Sequence, residues 1–297
     1  GQLSNMGAVL TRPNLLLTNA WIRFHDDPFT LAIEDTLTVG TGGRLEIGGG
    51  WILANGCYRV PTQNTWHRYA QNATALACGG DLVLTNGGQL TLYSGVAGGA
   101  LPESGGSLDV GGRLLIASNA VLTPISHPTN AASVFMTAGR VSVLAGGRID
   151  AGGMGCAGAP STGTRIGFGL GGGGTRNGGG YGGAGGVYSA AAGIGGEYGF
   201  AHAPVSCGSG GGRENYNGSA GGGRVWLRTA GVFHLDGSVD ANGVSYAGAN
   251  GAGSGGGVLL ECHRLTGAGA ISARGGDNTS TGGGRGASGG GGRVAVW

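Results

Sequence analysis

Hydrophobic residues in this chain come in short runs that alternate with polar ones and are separated by glycine, asparagine or aspartate. The pattern is plainest from Gly222 to Trp297, where one unit is written two and a third times. Its first copy runs Val225-Trp226-Leu227-Arg228, then Val232-Phe233-His234-Leu235, then Val239-Asp240-Ala241-Asn242-Gly243. The unit restarts at Val258-Leu259-Leu260-Glu261, continues through Leu265 and Ile271-Ser272-Ala273, and begins a third time at Arg293-Val294-Ala295-Val296-Trp297. Alternation of period 2 between turn residues spells strand, and no helical spacing survives in it. Val225, Val258 and Val294 recur at about 33 to 36 residues, a period typical of repeat architectures.

A unit of three short strands cannot bury its own apolar face, but stacked on its neighbours it closes a continuous core. The predicted fold is therefore all-β: a single-stranded β-solenoid, that is, a right-handed parallel β-helix. Inward positions would be Val225, Leu227, Val258, Leu260 and Cys262, and outward ones Trp226, Arg228, Leu259 and Glu261. The first half carries the same spelling more loosely, from Leu15-Leu16-Leu17 and Trp21-Ile22-Arg23-Phe24 through Trp51-Ile52-Leu53, then again from Leu82-Val83-Leu84 to Ile149-Asp150-Ala151. Three regions follow: solenoid turns over 1–151 with an irregular insertion near 55–80, a glycine-rich insertion over 152–223, and C-terminal repeats over 224–297. Within the first insertion, Tyr69 to Leu76 reads as a short helical turn.

Composition changes the picture in one respect. Of 297 residues 74 are glycine, far above the usual share of about 7%. Disorder is the plain reading of so much glycine, but 40% hydrophobic residues in regular runs argue against it for the chain as a whole. For 152–223 two outcomes stand: a disordered insertion, or extended polyproline-II-like (polyglycine-II-like) segments packed side by side. Tyr181, Tyr188, Tyr198 and Phe200 are spaced to cover such a layer, which favours order. A net charge of +2 gives no electrostatic footprint for nucleic acid or an anionic membrane.

The segments GGGR-VWLRT, GGGVLLE, GAISARGG and GGGGRVAVW resemble the glycine-rich repeats of large secreted bacterial β-helix surface proteins, of the autotransporter-passenger kind. The likeness covers about residues 134 to 297; residues 1 to 130 share only the general β-helix pattern. It implies a structural role outside the cell and carries no catalytic residue across.

Five cysteines occur without a CxxC or CxxH cluster, so no zinc site is expected. Pairing Cys57 with Cys78 and Cys156 with Cys207 would staple the two insertions and leave Cys262 as a small buried hydrophobe; free thiols in a reducing compartment are the alternative. Phosphate-loop patterns are chance products of the glycine content, and without a lysine the P-loop is impossible. His25-Asp26-Asp27 reads as an exposed turn, and His234 and His263 as outward residues of repeat strands. Acidic residues are scattered rather than paired as a glycosidase needs. The chain is accordingly expected to be no enzyme and to use no cofactor, with a β-helix polysaccharide lyase or hydrolase as the catalytic alternative.

A solenoid has two open ends. No amphipathic cap is spelled at either, and the sequence stops within a strand, so the chain is either cut from a longer one or closed by another copy. The second option makes Leu15, Leu17 and Ile22 at one end, and Val294, Val296 and Trp297 at the other, a subunit interface. The leading expectation is a secreted structural protein that polymerises head to tail into an extracellular or cell-surface filament. The alternative is a β-helical adhesin, with glycans as partners on its exposed aromatics.

Overall fold

The structure, a computed structural model, describes residues 2–3, 9–24, 29–48, 58–60, 65–67, 74–96, 104–280 and 285–297. Its strands arrive in a repeating order. After β1 (Gln2–Leu3) come β2 (Val9–Arg12), β3 (Leu15–Leu17) and β4 (Trp21–Phe24), then β5 (Thr30–Ile33), β6 (Leu37–Val39) and β7 (Arg44–Ile47). A hairpin, β8 (Tyr58–Val60) and β9 (Thr65–His67), interrupts before β10 (Thr74–Cys78), β11 (Leu82–Leu84) and β12 (Gln89–Tyr93). From there the first two strands of each set fuse: β13 (Ser104–Ile116) with β14 (Val121–Ile125), and β15 (Ser133–Val143) with β16 (Arg148–Asp150). After the glycine-rich stretch follow β17 (Arg224–Leu235) with β18 (Ser238–Asp240), β19 (Gly257–Thr266) with β20 (Ala270–Ser272), and β21 (Arg293–Val296).

Each strand pairs in parallel with its counterpart in the next set. One sheet runs β1-β4-β7-β12-β14-β16-β18-β20. The other runs β2-β5-β10-β13-β15-β17-β19-β21, with β3, β6 and β11 paired alongside. Among the described residues the antiparallel exception between strands is β8 with β9. The chain is thus nearly all-β, with parallel sheets.

Register turns the period-2 pattern into columns. Leu10, Leu31, Leu76, Leu108, Met136, Leu227, Leu260 and Val296 lie opposite one another through the larger sheet. Ile22, Leu45, Leu90, Leu122, Ile149, Val239 and Ile271 do so through the smaller. All but the outermost members are fully buried in one hydrophobic cluster. Turns between consecutive strands repeat as well: Asn19, Gly42, Asn86, Asn119 and Gly146 adopt positive φ at matching places. Such backbone suits Asn and Gly and excludes bulkier residues, which is why these two punctuate the sequence.

The glycine-rich stretch is ordered without strands. Its backbone N–H groups are donated in threes. Gly251 and Ser254 bond to Gly212 and Ser209, Ala252 and Gly255 to Ala287 and Gly290, and Gly253 and Gly256 to Val244 and Ala241. Gly218 and Gly221 reach Ala159 and Cys156, while Ser219 and Gly222 reach Gly251 and Ser254. Successive residues of one segment therefore face three different neighbouring segments, and every third residue returns to the same one. Segments from 152–223 and from 241–292 share this layer.

Two expectations are corrected. Thr74–Cys78 is a strand paired with β5 and β13, so the helical turn read over Tyr69 to Leu76 does not extend into 74–76; residues 69–73 lie outside the described residues. Trp226 and Leu259, read as outward, are buried at 8% and 4% exposure. They do face away from the core; Trp226 packs on Phe135 with ring centroids 4.5 Å apart and donates to Glu261, and the stretch 198–206 lies against the starts of their strands. Arg224 Nη1 donates to Val205 O at 2.7 Å, Trp297 Nε1 to His202 O at 2.8 Å, and a Cβ on Gly257 would sit 2.5 Å from Pro204 O. Val225, Leu227, Val258 and Leu260 are buried as read, and Cys262 is half-buried.

Candidate functional site

The candidate surfaces are the outer strands of the two sheets among the described residues. β21 pairs with β19 on one side, and no described strand lies on the other. β20 bounds the smaller sheet at the same end. At the opposite end β1 bounds the smaller sheet, while β2 and β3 bound the larger. Among the described strands the smaller sheet has one further strand at the N-terminal side and the larger one further strand at the C-terminal side. A row of unpaired N–H and C=O groups is a template for another strand.

Side chains at these edges are partly open. Val294, Val296 and Trp297 are 45%, 40% and 65% exposed. The Trp297 backbone still continues the ladder, donating to Leu260 O and accepting from Cys262 N. Leu15 and Ile22 are half-buried and Leu17 buried, each paired into the column of its sheet. Of this predicted set, Leu15 and Leu17 lie in an outermost strand, and Ile22 lies in β4, one strand in from β1. The apolar side chains most open at that end are Val9, Leu16 and Trp21, which lie outside the inward set of Leu15, Leu17 and Ile22.

Sequence reading also missed a repeated clamp on the outward faces. Arg23 pairs with Glu46, directly across the ladder, and Trp21 Nε1 donates to the same carboxylate at 3.0 Å. Arg228 binds Glu261 across the next strand at 3.0 and 3.1 Å, with Trp226 Nε1 donating at 2.7 Å. Partial burial would raise the Glu261 carboxyl, but these donors and the Arg228 charge outweigh it and hold it below the usual range. The signal was present in the sequence: Trp-x-Arg on one strand, with Glu at the Arg position one repeat later.

The remaining candidates divide between described and undescribed residues. His25, Asp26, Asp27 and Cys57 lie outside the described residues. His234 is turned into its own ladder, with Nε2 2.8 Å from Asp236 and Nδ1 3.1 Å from Thr266 Oγ1, rather than toward His263. Among the described residues no three His, Cys, Asp or Glu side chains gather as a metal site. A shallow depression lined by Gly111, Gly112, Gly139, Arg140, Gly231 and Val232 offers no acid–base pair. No helix among the described residues is long and apolar enough to cross a membrane.

The cysteines divide. Cys78 is buried and its thiol points to the carbonyls of Asp35 and Asp81 at 3.2 and 3.3 Å. Cys156 and Cys207 are fully buried with their sulfurs 3.4 Å apart. Comparison of the chain with protein-family models, with curated proteins and with solved structures finds no match.

Proposed function

We propose that this chain is a single-stranded β-solenoid flanked by a polyglycine-II-like layer, and that it serves as the structural subunit of an extracellular filament. The observation that supports the reading is the stack of in-register parallel strands, whose apolar columns run through both sheets as one buried cluster. Placed head to tail, β1 of the following copy occupies the position beside β20, and its β2 the position beside β21. The inward column then runs on from Val296 of one copy to Leu10 of the next. Such a contact is heterologous, and repeated along the strand-stacking axis it generates a fibre rather than a closed ring. A right-handed path is expected from the general handedness of parallel crossovers. Hydrogen bonds that return to the same neighbour every third residue support three-residue-per-turn extended helices in the glycine layer. Low charge and abundant glycine fit a secreted material.

Negative-stain microscopy and sedimentation of the full chain test this. Fibres one molecule thick are expected, lost on Val296→Asp or on removal of residues 1–24. Monodisperse rods at high concentration, or unchanged fibres from either variant, overturn the head-to-tail contact.

A further inference from the structure

We propose that Cys156 and Cys207 form a disulfide that locks the glycine-rich layer to itself. The two sulfurs lie 3.4 Å apart, joining positions 51 residues apart in sequence, and both side chains are fully buried. Their backbones are already neighbours in the threefold pattern. Cys156 N donates to Gly208 O at 3.0 Å, and Gly221 N donates to Cys156 O at 2.9 Å. Tyr198 fixes the other side, its hydroxyl donating to Cys207 O and accepting from Ser209 Oγ. The layer holds few large side chains, so a covalent tie that restricts its unfolded chain is the means of stabilisation left to it.

The chemistry is thiol–disulfide exchange with an oxidised small-molecule disulfide. One cysteine, as thiolate, attacks a donor sulfur and releases the donor's first thiol. The second cysteine attacks the mixed disulfide and releases the other. Two protons and two electrons pass to the donor, and the protein gains one S–S bond. Because neither sulfur reaches solvent, exchange occurs before the layer closes, and the closed layer then shields the bond from reductants. The inference is independent of whether copies assemble.

The experiment is a peptide map of the full chain refolded in oxidised and reduced glutathione, alkylated under denaturing conditions and cut with trypsin. Residues 149–165 linked to residues 177–213, two hydrogens lighter than the sum, is the expected product. The oxidised protein should melt roughly 5–15 °C above the C156S/C207S double variant, and the reduced protein should match the variant. Recovery of both cysteines as alkylated thiols from the oxidised, folded protein overturns the proposal, as does linkage of either to another cysteine. Should the double variant fail to fold, the wild-type map alone decides.

Discussion

In the sheets of this molecule order comes from side chains, and in the glycine layer it comes from their absence. A column such as Leu31, Leu76, Leu108 and Met136 buries apolar surface at about 1.5–3 kcal/mol per side chain, so each strand is held wherever its neighbours are. In the layer each residue adds one backbone hydrogen bond, worth about 0.5–1.5 kcal/mol net, against an entropy cost that is largest for glycine. These terms nearly cancel, so the layer stands because three neighbours enclose each segment and because it is tied to the sheets. Side-chain columns tolerate volume changes by relaxing; a backbone-to-backbone packing leaves no rotamer to move.

The comparison breaks most sharply at a glycine surrounded by carbonyls. A Cβ added to Gly253 would lie 1.9 Å from Ala220 O. Gly253→Ala should cost more than about 3 kcal/mol and open the layer, seen as rapid tryptic cleavage after Arg165, Arg176 and Arg213. Gly196, whose Cβ position is free of contacts within 4 Å, supplies the control; Gly196→Ala should stay within about 0.5 kcal/mol. Equal cleavage of the two variants would mean the layer is not backbone-packed.

The sheets answer differently to an equally small change. Leu108→Ala empties part of a fully buried column and should cost about 2–5 kcal/mol in denaturant unfolding, in proportion to the cavity that remains. The loss should be global, with hydrogen exchange accelerated along β10, β13 and β15 together, because those strands share the column. Acceleration confined to β13 would show that the columns do not act as a cooperative unit.

How far the sequence foretold this architecture differs between the regions for the same physical reason. Val225, Leu227, Val258 and Leu260 were legible because alternation and register are local properties repeated about every 33 residues. Burial of Trp226 and Leu259 was not, since the stretch 198–206 that lies against the starts of their strands is remote from both in sequence and has no period of its own. Order in the glycine stretch could be weighed but not placed, because which segment faces which depends on partners drawn from 152–223 and 241–292 alike. Strand Thr74–Cys78 was hidden by the irregular composition just before it, although its alternating burial is as regular as that of β12. At the strand edges Leu15, Leu17 and Ile22 followed the inward pattern, whereas Leu16 and Trp21 were passed over because alternation marks an outward residue as unremarkable.

Where the two regions meet, the smallest effect should appear. The turn 126–133 leaves the smaller sheet and enters the larger while touching the layer: Ser126 N donates to Met154 O, and Ala157 N donates to Pro128 O. His127 sits within it, buried, with Nδ1 facing the N–H groups of Thr129 and Asn130 at 3.3 and 3.2 Å. Burial disfavours the imidazolium and brings its pKa down from 6.5 to about 4. Between those values the unfolded chain binds a proton that the folded chain refuses, so stability contributed above pH 6.5 is lost progressively as pH falls toward 4. Asn keeps an acceptor for the same N–H groups but does not titrate. The difference in melting temperature between wild type and His127→Asn should therefore shift against the wild type as pH is lowered across this window. Carboxylates drop out of that difference, because both proteins carry them. A difference that stays constant from pH 7 to 4 would show that the seam admits the charged ring, and that sheets and layer are less tightly joined there than their hydrogen bonds imply.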